Sequence, residues 1–168
     1  MVSSILTALA LAVATLTSAA PTTHSEPFTF AKWIDGIIAN PDGDNLSPEQ
    51  AVDDGASLQK RWSCNTIPNT EAWVPDAVSC IDDLARKGSQ ACVADSVSRM
   101  CRIGNAQITG VSNGQRASST CNDVARGAGV IMDHCTRADN YVQGSEWAYG
   151  SDVLLVHIRW PDSEAPAR

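Results

Sequence analysis

Ala117–Cys135 reads ASSTCNDVARGAGVIMDHC, and the fold turns on this stretch. Cys121, Val124, Ala125, Ala128, Ile131, Met132 and Cys135 recur at spacings of three and four, the period of one face of an α-helix. Ser118, Ser119 and Thr120 are candidate N-caps, with hydroxyls able to accept from the first unpaired backbone N–H groups. Cys121 and Cys135 are fourteen residues apart, close to four turns, so both share the buried stripe and can staple the helix at its two ends. Gly127 and Gly129 each weaken a helix interior by about 1 kcal/mol relative to Ala. Their missing Cβ atoms allow close packing against a sheet.

Working upstream, Thr70–Gly88 (TEAWVPDAVSCIDDLARKG) carries Trp73, Ala77, Val78, Ile81, Leu84 and Ala85 at helical spacing. Pro75 and Asp76 suit its first turn, Lys87-Gly88 its end, and Cys80 falls at the margin of the stripe. Between the two helices, Gln90–Arg102 and Ala106–Ser112 read as neighbouring strands turning at Gly104-Asn105. Downstream, Tyr141–Tyr149 and Asp152–Trp160 read as a hairpin through Gly150-Ser151. In the last strand Leu154, Val156, Ile158 and Trp160 suit a helix-covered face, and Val153, Leu155, His157 and Arg159 an open one. Trp62–Ile67 is a candidate short edge strand. The expected fold is therefore α+β, with two helices packed on one face of an antiparallel sheet (an α/β-sandwich) stapled by disulfides.

All six cysteines, Cys64, Cys80, Cys92, Cys101, Cys121 and Cys135, lie in the last 105 residues. An even count in a small exported domain reads as three disulfides, with the pairing left open. The intervening lengths of 15, 11, 8, 19 and 13 residues contain no close Cys pair, and no paired histidines occur, so neither a zinc site nor any other metal or cofactor is expected. The chain of 168 residues has a net charge of −7. Such an acidic chain lacks the basic surface that nucleic-acid binding requires.

The N-terminal third is organised differently. Residues 2–20 (VSSILTALALAVATLTSAA) form an apolar run closing on Ser18, Ala19 and Ala20, which reads as a cleaved secretory signal over residues 1–20; no transmembrane span is expected. Residues 21–61 hold seven acids against three bases and no cysteine, and end at Lys60-Arg61, a dibasic site for a kexin-type protease. They read as an acidic pro-segment. Within it PDGDNLSPEQ (41–50) has turn and linker composition, while PFTFAKWIDGII (27–38) carries an apolar cluster that can form a short amphipathic helix. The sole Asn-x-Ser/Thr sequon, Asn45-Leu46-Ser47, also lies here. The processed domain would span residues 62–168, with a net charge of −3.

No nucleophile elbow, zincin motif, phosphate loop or dinucleotide fingerprint occurs. One alternative arrangement for catalysis exists: His157 and Arg159 sit two apart on one strand, with Glu146 on the neighbouring one. Together they could act as base, clamp and acid of a small secreted ribonuclease-like hydrolase. Ordinary polar residues on a solvated sheet face are the commoner meaning of such a trio. His134 suits a helix C-terminus. Asp82-Asp83 and Asp95 form no carboxylate pair. The preferred expectation is no catalytic residue.

The signal, pro-segment, Lys60-Arg61 and six-cysteine α+β domain resemble the layout of small secreted fungal proteins. The runs VPDAVSCIDDLARKG, ACVADSVSRMCRIGNAQITGV and STCNDVARGAGVIMDHC, followed by VQGSEWAYGSDVLLVHI, resemble the killer-toxin-like fold and the related fungal extracellular-effector (necrosis-inducing factor) family, over residues 64–160. The resemblance rests on element order and cysteine placement. It implies secretion and action as an effector or toxin that binds a host or competitor-cell target, with no catalytic residue to carry over.

Overall fold

A computed structural model describes residues 27–55, 64 and 67–161 of the chain. The signal over residues 1–20, Lys60-Arg61 and most of the expected edge strand at 62–67 lie outside the described residues.

The two diagnostic helices form where their apolar periods place them, α3 over Val74–Arg86 and α4 over Cys121–Cys135. Thr120 caps α4: its Oγ1 accepts from the Asp123 backbone N–H at 3.2 Å while its hydroxyl donates to the Asp123 carboxylate at 2.7 Å. Pro75 occupies the first turn of α3, where its missing N–H costs nothing. Two further helices precede them in the acidic segment. α1 (Phe30–Ala39) is the amphipathic piece expected there. α2 (Pro48–Gly55) arises in sequence that reads as linker. Ser47 is the reason: its N–H donates to Gln50 Oε1 at 2.8 Å and its Oγ accepts from the Gln50 N–H at 3.3 Å, the reciprocal capping box of Ser-x-x-Gln.

Among the described residues, eight strands make three antiparallel sheets rather than the single sheet expected. β1 (Ala72–Trp73) pairs with β6 (Tyr141–Val142), and β2 (Ala91–Ala94) with β5 (Ala117–Thr120). β3 (Val97–Ile103), β4 (Ala106–Ser112), β8 (Leu154–Arg159) and β7 (Gly144–Trp147) form the main sheet in the order β3-β4-β8-β7. The expected strand Gln90–Arg102 breaks at Asp95-Ser96, because its two cysteines serve different helices. Cys92 bridges to Cys121 at the start of α4, and Cys101 bridges to Cys80 of α3. The third bridge, Cys64–Cys135, closes the far end of α4. The expected strand Tyr141–Tyr149 likewise divides into β6 and β7.

The register decides which side chains share a face, since residues directly opposite on antiparallel strands lie on the same side of the sheet. Ile108 faces Ile158, and Gly110 faces Val156. Leu154, Val156 and Ile158 are fully buried, as the alternation predicts, whereas Trp160 at the end of that set is exposed. On the other side Gln107 faces Arg159, Thr109 faces His157 and Val111 faces Leu155. This side is not open at its centre: Gln107 and Thr109 are buried, and His157 and Arg159 are half-buried.

α3 packs against β3 and β4, α4 against β7 and β8, and the two helices pack against each other. The two glycines of α4 divide their labour. A Cβ on Gly127 would stand 2.7 Å from the Trp147 backbone oxygen, which is the close approach to the sheet that the sequence suggests. A Cβ on Gly129 would instead collide with Ile34 of α1. The acidic segment is therefore part of the core, with Phe30, Ile34, Ile37 and Ala51 fully buried in one cluster with the α3, α4 and strand side chains. Among the described residues no helix is long and apolar enough to cross a membrane.

Candidate functional site

The Asp123–Arg126 turn of α4 organises one end of the molecule. The Arg126 guanidinium donates through Nε to Asp35 of α1 at 2.8 Å and through a terminal nitrogen to Asp123 at 3.1 Å. The Asp35 carboxylate is the larger cause that raises the pKa of Arg126 above its ordinary value. The same guanidinium lies over the Tyr149 ring, 5.3 Å from its centroid, within cation–π range. The Tyr149 N–H donates to the Asp123 carbonyl at 3.0 Å, tying the loop after β7 to the first turn of α4.

That loop is closed by its own bonds. The Ala148 N–H donates to the Leu154 carbonyl at 3.0 Å, and the Ser151 Oγ accepts from the N–H groups of Val153 and Leu154, both at 3.3 Å. The hairpin tip thereby holds Trp147 at 46% exposure and Tyr149 at 67%, with Val153 exposed beside them. Large rings held outward on a fixed turn are unlike the scattered exposed apolar residues of ordinary surfaces. Beside Tyr149 opens a cleft of about 1080 Å³, walled by Ala31, Asp35 and Ile38 of α1, by Arg126 and Val130 of α4, and by the hairpin. It can seat an apolar or aromatic group against the Tyr149 ring, with a carboxylate and a guanidinium at its edge; Trp147, opposite Leu155, turns its ring to the other side of the sheet.

The residues of the hydrolase alternative are not brought together. Glu146 is opposite Val156, so it lies on the side of Leu154 and Ile158 and lines the cleft; its carboxylate accepts from the Trp147 N–H at 2.8 Å. His157 is opposite Ser145 and Thr109, on the other side of the sheet together with Arg159. The physical reason is the two-residue period of a strand: Glu146 and His157 are one register step out of phase. Burial, and then the Arg159 charge, lower the His157 pKa below its ordinary value.

The remaining polar candidates sit in local pairs: Asp82 with Arg86 at 2.9 Å, Asp83 with Lys87 at 2.6 Å, Asp95 with Arg116 at 3.7 Å. His134 occupies the last turn of α4. No group of three or more His, Cys, Asp or Glu among the described residues could hold a metal ion. Sequence reasoning passed over Trp147, Tyr149 and Arg126. The pair of rings in Glu146–Gly150 was a usable signal in a chain with only 5% aromatic residues. The contact of Arg126 with Tyr149, 23 positions apart, had none.

A family model described as Domain of unknown function (DUF8794) matches residues 59–160. The chain belongs to this family. No curated protein and no solved structure matches it. The DUF8794 match holds all six cysteines, Arg126 and the aromatic hairpin, and leaves out α1 and α2. The cleft is thus shared between the DUF8794 domain and the segment before it.

Proposed function

We propose that the chain is an exported binding protein of the effector or toxin type, acting on a host or competitor-cell target through the aromatic hairpin and without catalysis. The reading includes a signal over residues 1–20, removal of the acidic pro-segment 21–61 after Lys60-Arg61 by a kexin-type protease, and a fungal source. It also takes α3 and α4 as the helix layer of a killer-toxin-like sandwich, laid on the side of the main sheet that carries Ile108, Val156 and Ile158. Its support is one observation above all: Trp147 and Tyr149 are held exposed on a hairpin tied to α4, in a domain cross-linked three times. Rings of this kind supply large contact area at low entropic cost and dominate binding energetics at interfaces. The reading is also supported by the register, in which Glu146 lies on the opposite side of the main sheet from His157 and Arg159.

The test is an activity assay on purified protein, infiltrated into plant leaf and spotted on fungal lawns, with Trp147→Ala/Tyr149→Ala beside wild type. The expected outcome is loss of activity with an unchanged thermal melt. A double variant that keeps full activity would sink the assignment to the hairpin. Turnover of RNA by the wild type would sink the non-catalytic reading.

A further inference from the structure

The contact between the acidic segment and the cysteine domain has the features of a docked ligand. α1 begins on a carboxylate that is remote in sequence: Asp133 of α4 accepts from the Phe30 N–H at 2.7 Å and from the Ala31 N–H at 3.1 Å. Those are two of the backbone donors that every helix start leaves unpaired. Phe30, Ile34 and Ile37 follow at i, i+4 and i+7 and are fully buried. Gly129 lies directly beneath Ile34, where no larger residue fits without displacement. At i+5, Asp35 meets Arg126 at 2.8 Å. α2 adds contacts to α3, and the Arg86 guanidinium donates to the Pro41 carbonyl in the loop between α1 and α2.

Covalently the same segment is almost free. All three disulfides join residues between Cys64 and Cys135, and none reaches residues 27–55. Its only covalent link to the domain is the backbone across residues 56–63, which contains Lys60-Arg61. The family match begins at residue 59, on the domain side of α1 and α2.

We propose that the α3–α4 surface beneath α1 is a docking groove for an amphipathic helix. Residues 27–55 occupy it in the uncut chain, and a cut at Lys60-Arg61 turns that occupancy into a reversible one, freeing the groove for a partner protein's helix of the same chemistry. That helix presents its N-terminal backbone N–H groups to Asp133, apolar side chains at i, i+4 and i+7, and an acid at i+5 to Arg126. Removing α1 also takes away the Ala31–Ile38 wall of the aromatic cleft, so groove and hairpin become one continuous surface. The proposal rests on the pro-segment reading of residues 21–61 and adds to it the class of partner.

The experiment starts from the purified full chain, nicked in vitro with a dibasic-specific protease. Gel filtration across a dilution series then follows the fragment containing residues 27–55, and fluorescence anisotropy follows a dye-labelled synthetic peptide of that sequence. The fragment is expected to co-elute when concentrated and to separate on dilution. The released domain should still melt cooperatively and should rebind the peptide one to one. Ile34→Asp in the peptide should weaken binding at least tenfold. An unrelated helical peptide carrying only the Phe, Ile, Asp and Ile spacing should displace the label, and the same peptide with those positions moved by two should not.

Gly129→Ala supplies a reversal of sign. It should weaken peptide binding measurably, since the end of the Ile34 side chain must shift, yet leave the melt of the released domain unchanged or raised, because Ala is the better helix former. Gly127→Ala, packed on the Trp147 backbone, should lower the melt with or without the segment. A domain that loses its cooperative melt when the segment leaves would overturn the proposal, as would a peptide indifferent to Ile34→Asp. None of these readouts depends on the leaf or lawn assay or on where the cell cuts the chain, so a failure there and a failure here are separable.

Discussion

His157 and Ile158 are neighbours with opposite environments, and they should respond oppositely to the same substitution. Ile158 is fully buried opposite Ile108 and Gly144, so Ile158→Ala removes core volume and should cost about 2–4 kcal/mol, read by thermal or denaturant melts. His157→Ala should melt close to wild type at neutral pH and keep activity in the leaf and lawn assays. Its effect should appear on acidification. Burial first, and the Arg159 charge second, lower the folded-state pKa of His157 below 6.5. As pH falls through the unfolded value the unfolded chain takes up a proton that the folded chain refuses. The stability linked to neutral His157 is therefore present above that value and is lost as pH drops toward the folded one. Asp133 has the contrary sign: burial raises its pKa, so its contribution favours folding at low pH and fades as pH rises through the folded value. The slope of stability against pH just below 6.5 should flatten in His157→Ala; an unchanged slope would exclude His157 as its source.

At the scale of elements, α4 is the piece on which the others depend. It is fixed at its start by Cys92–Cys121, at its end by Cys64–Cys135, and between them by the two glycine contacts. Replacing both Cys92 and Cys121 by Ser opens a loop closed over 29 residues and should cost about 3–4 kcal/mol. Denaturant titration of the oxidised variant against wild type measures it, and a loss below about 1 kcal/mol would show that packing alone holds the β2–α4 corner. Both helices of the cysteine domain were legible because their periods are long and their start signals, the Thr120 cap of α4 and Pro75 in the first turn of α3, are local. The strands were legible in content and not in partnership. Nothing within Gln90–Arg102 says that Val93 pairs with Ser118 while Arg99 pairs with Thr109, because that choice is made by disulfides to two different helices. α2 was missed although its capping box is local, since proline and aspartate around Ser47 carry equal weight as turn formers. In the candidate site, the rings of the hairpin could be read; Arg126 and Asp35 could not, as they meet only when α1 lies on α4.

The whole molecule couples an N-terminal segment without cysteines to a domain with six, through one shared apolar core and one backbone link. A protease that reads a dibasic pair needs an extended stretch on both sides of it. α2 ends at Gly55, and the next described residue is Cys64, bridged to Cys135. Lys60-Arg61 falls between these two anchors, clear of α1, α2 and every disulfide loop. A cut there opens no cystine ring and falls outside every described helix and strand. The protein recovered from culture medium should therefore begin at Trp62, as read by N-terminal sequencing or intact mass with reduction. A chain beginning at Pro21 would mean that α1 and α2 remain covalently attached as permanent parts of the core. The two forms should also melt differently. The uncut chain should unfold in one transition independent of protein concentration. After cutting, any bound segment makes the midpoint rise with concentration, because only the folded domain holds it. A midpoint that stays flat over a hundredfold range in freshly cut protein would mean that the segment has already left.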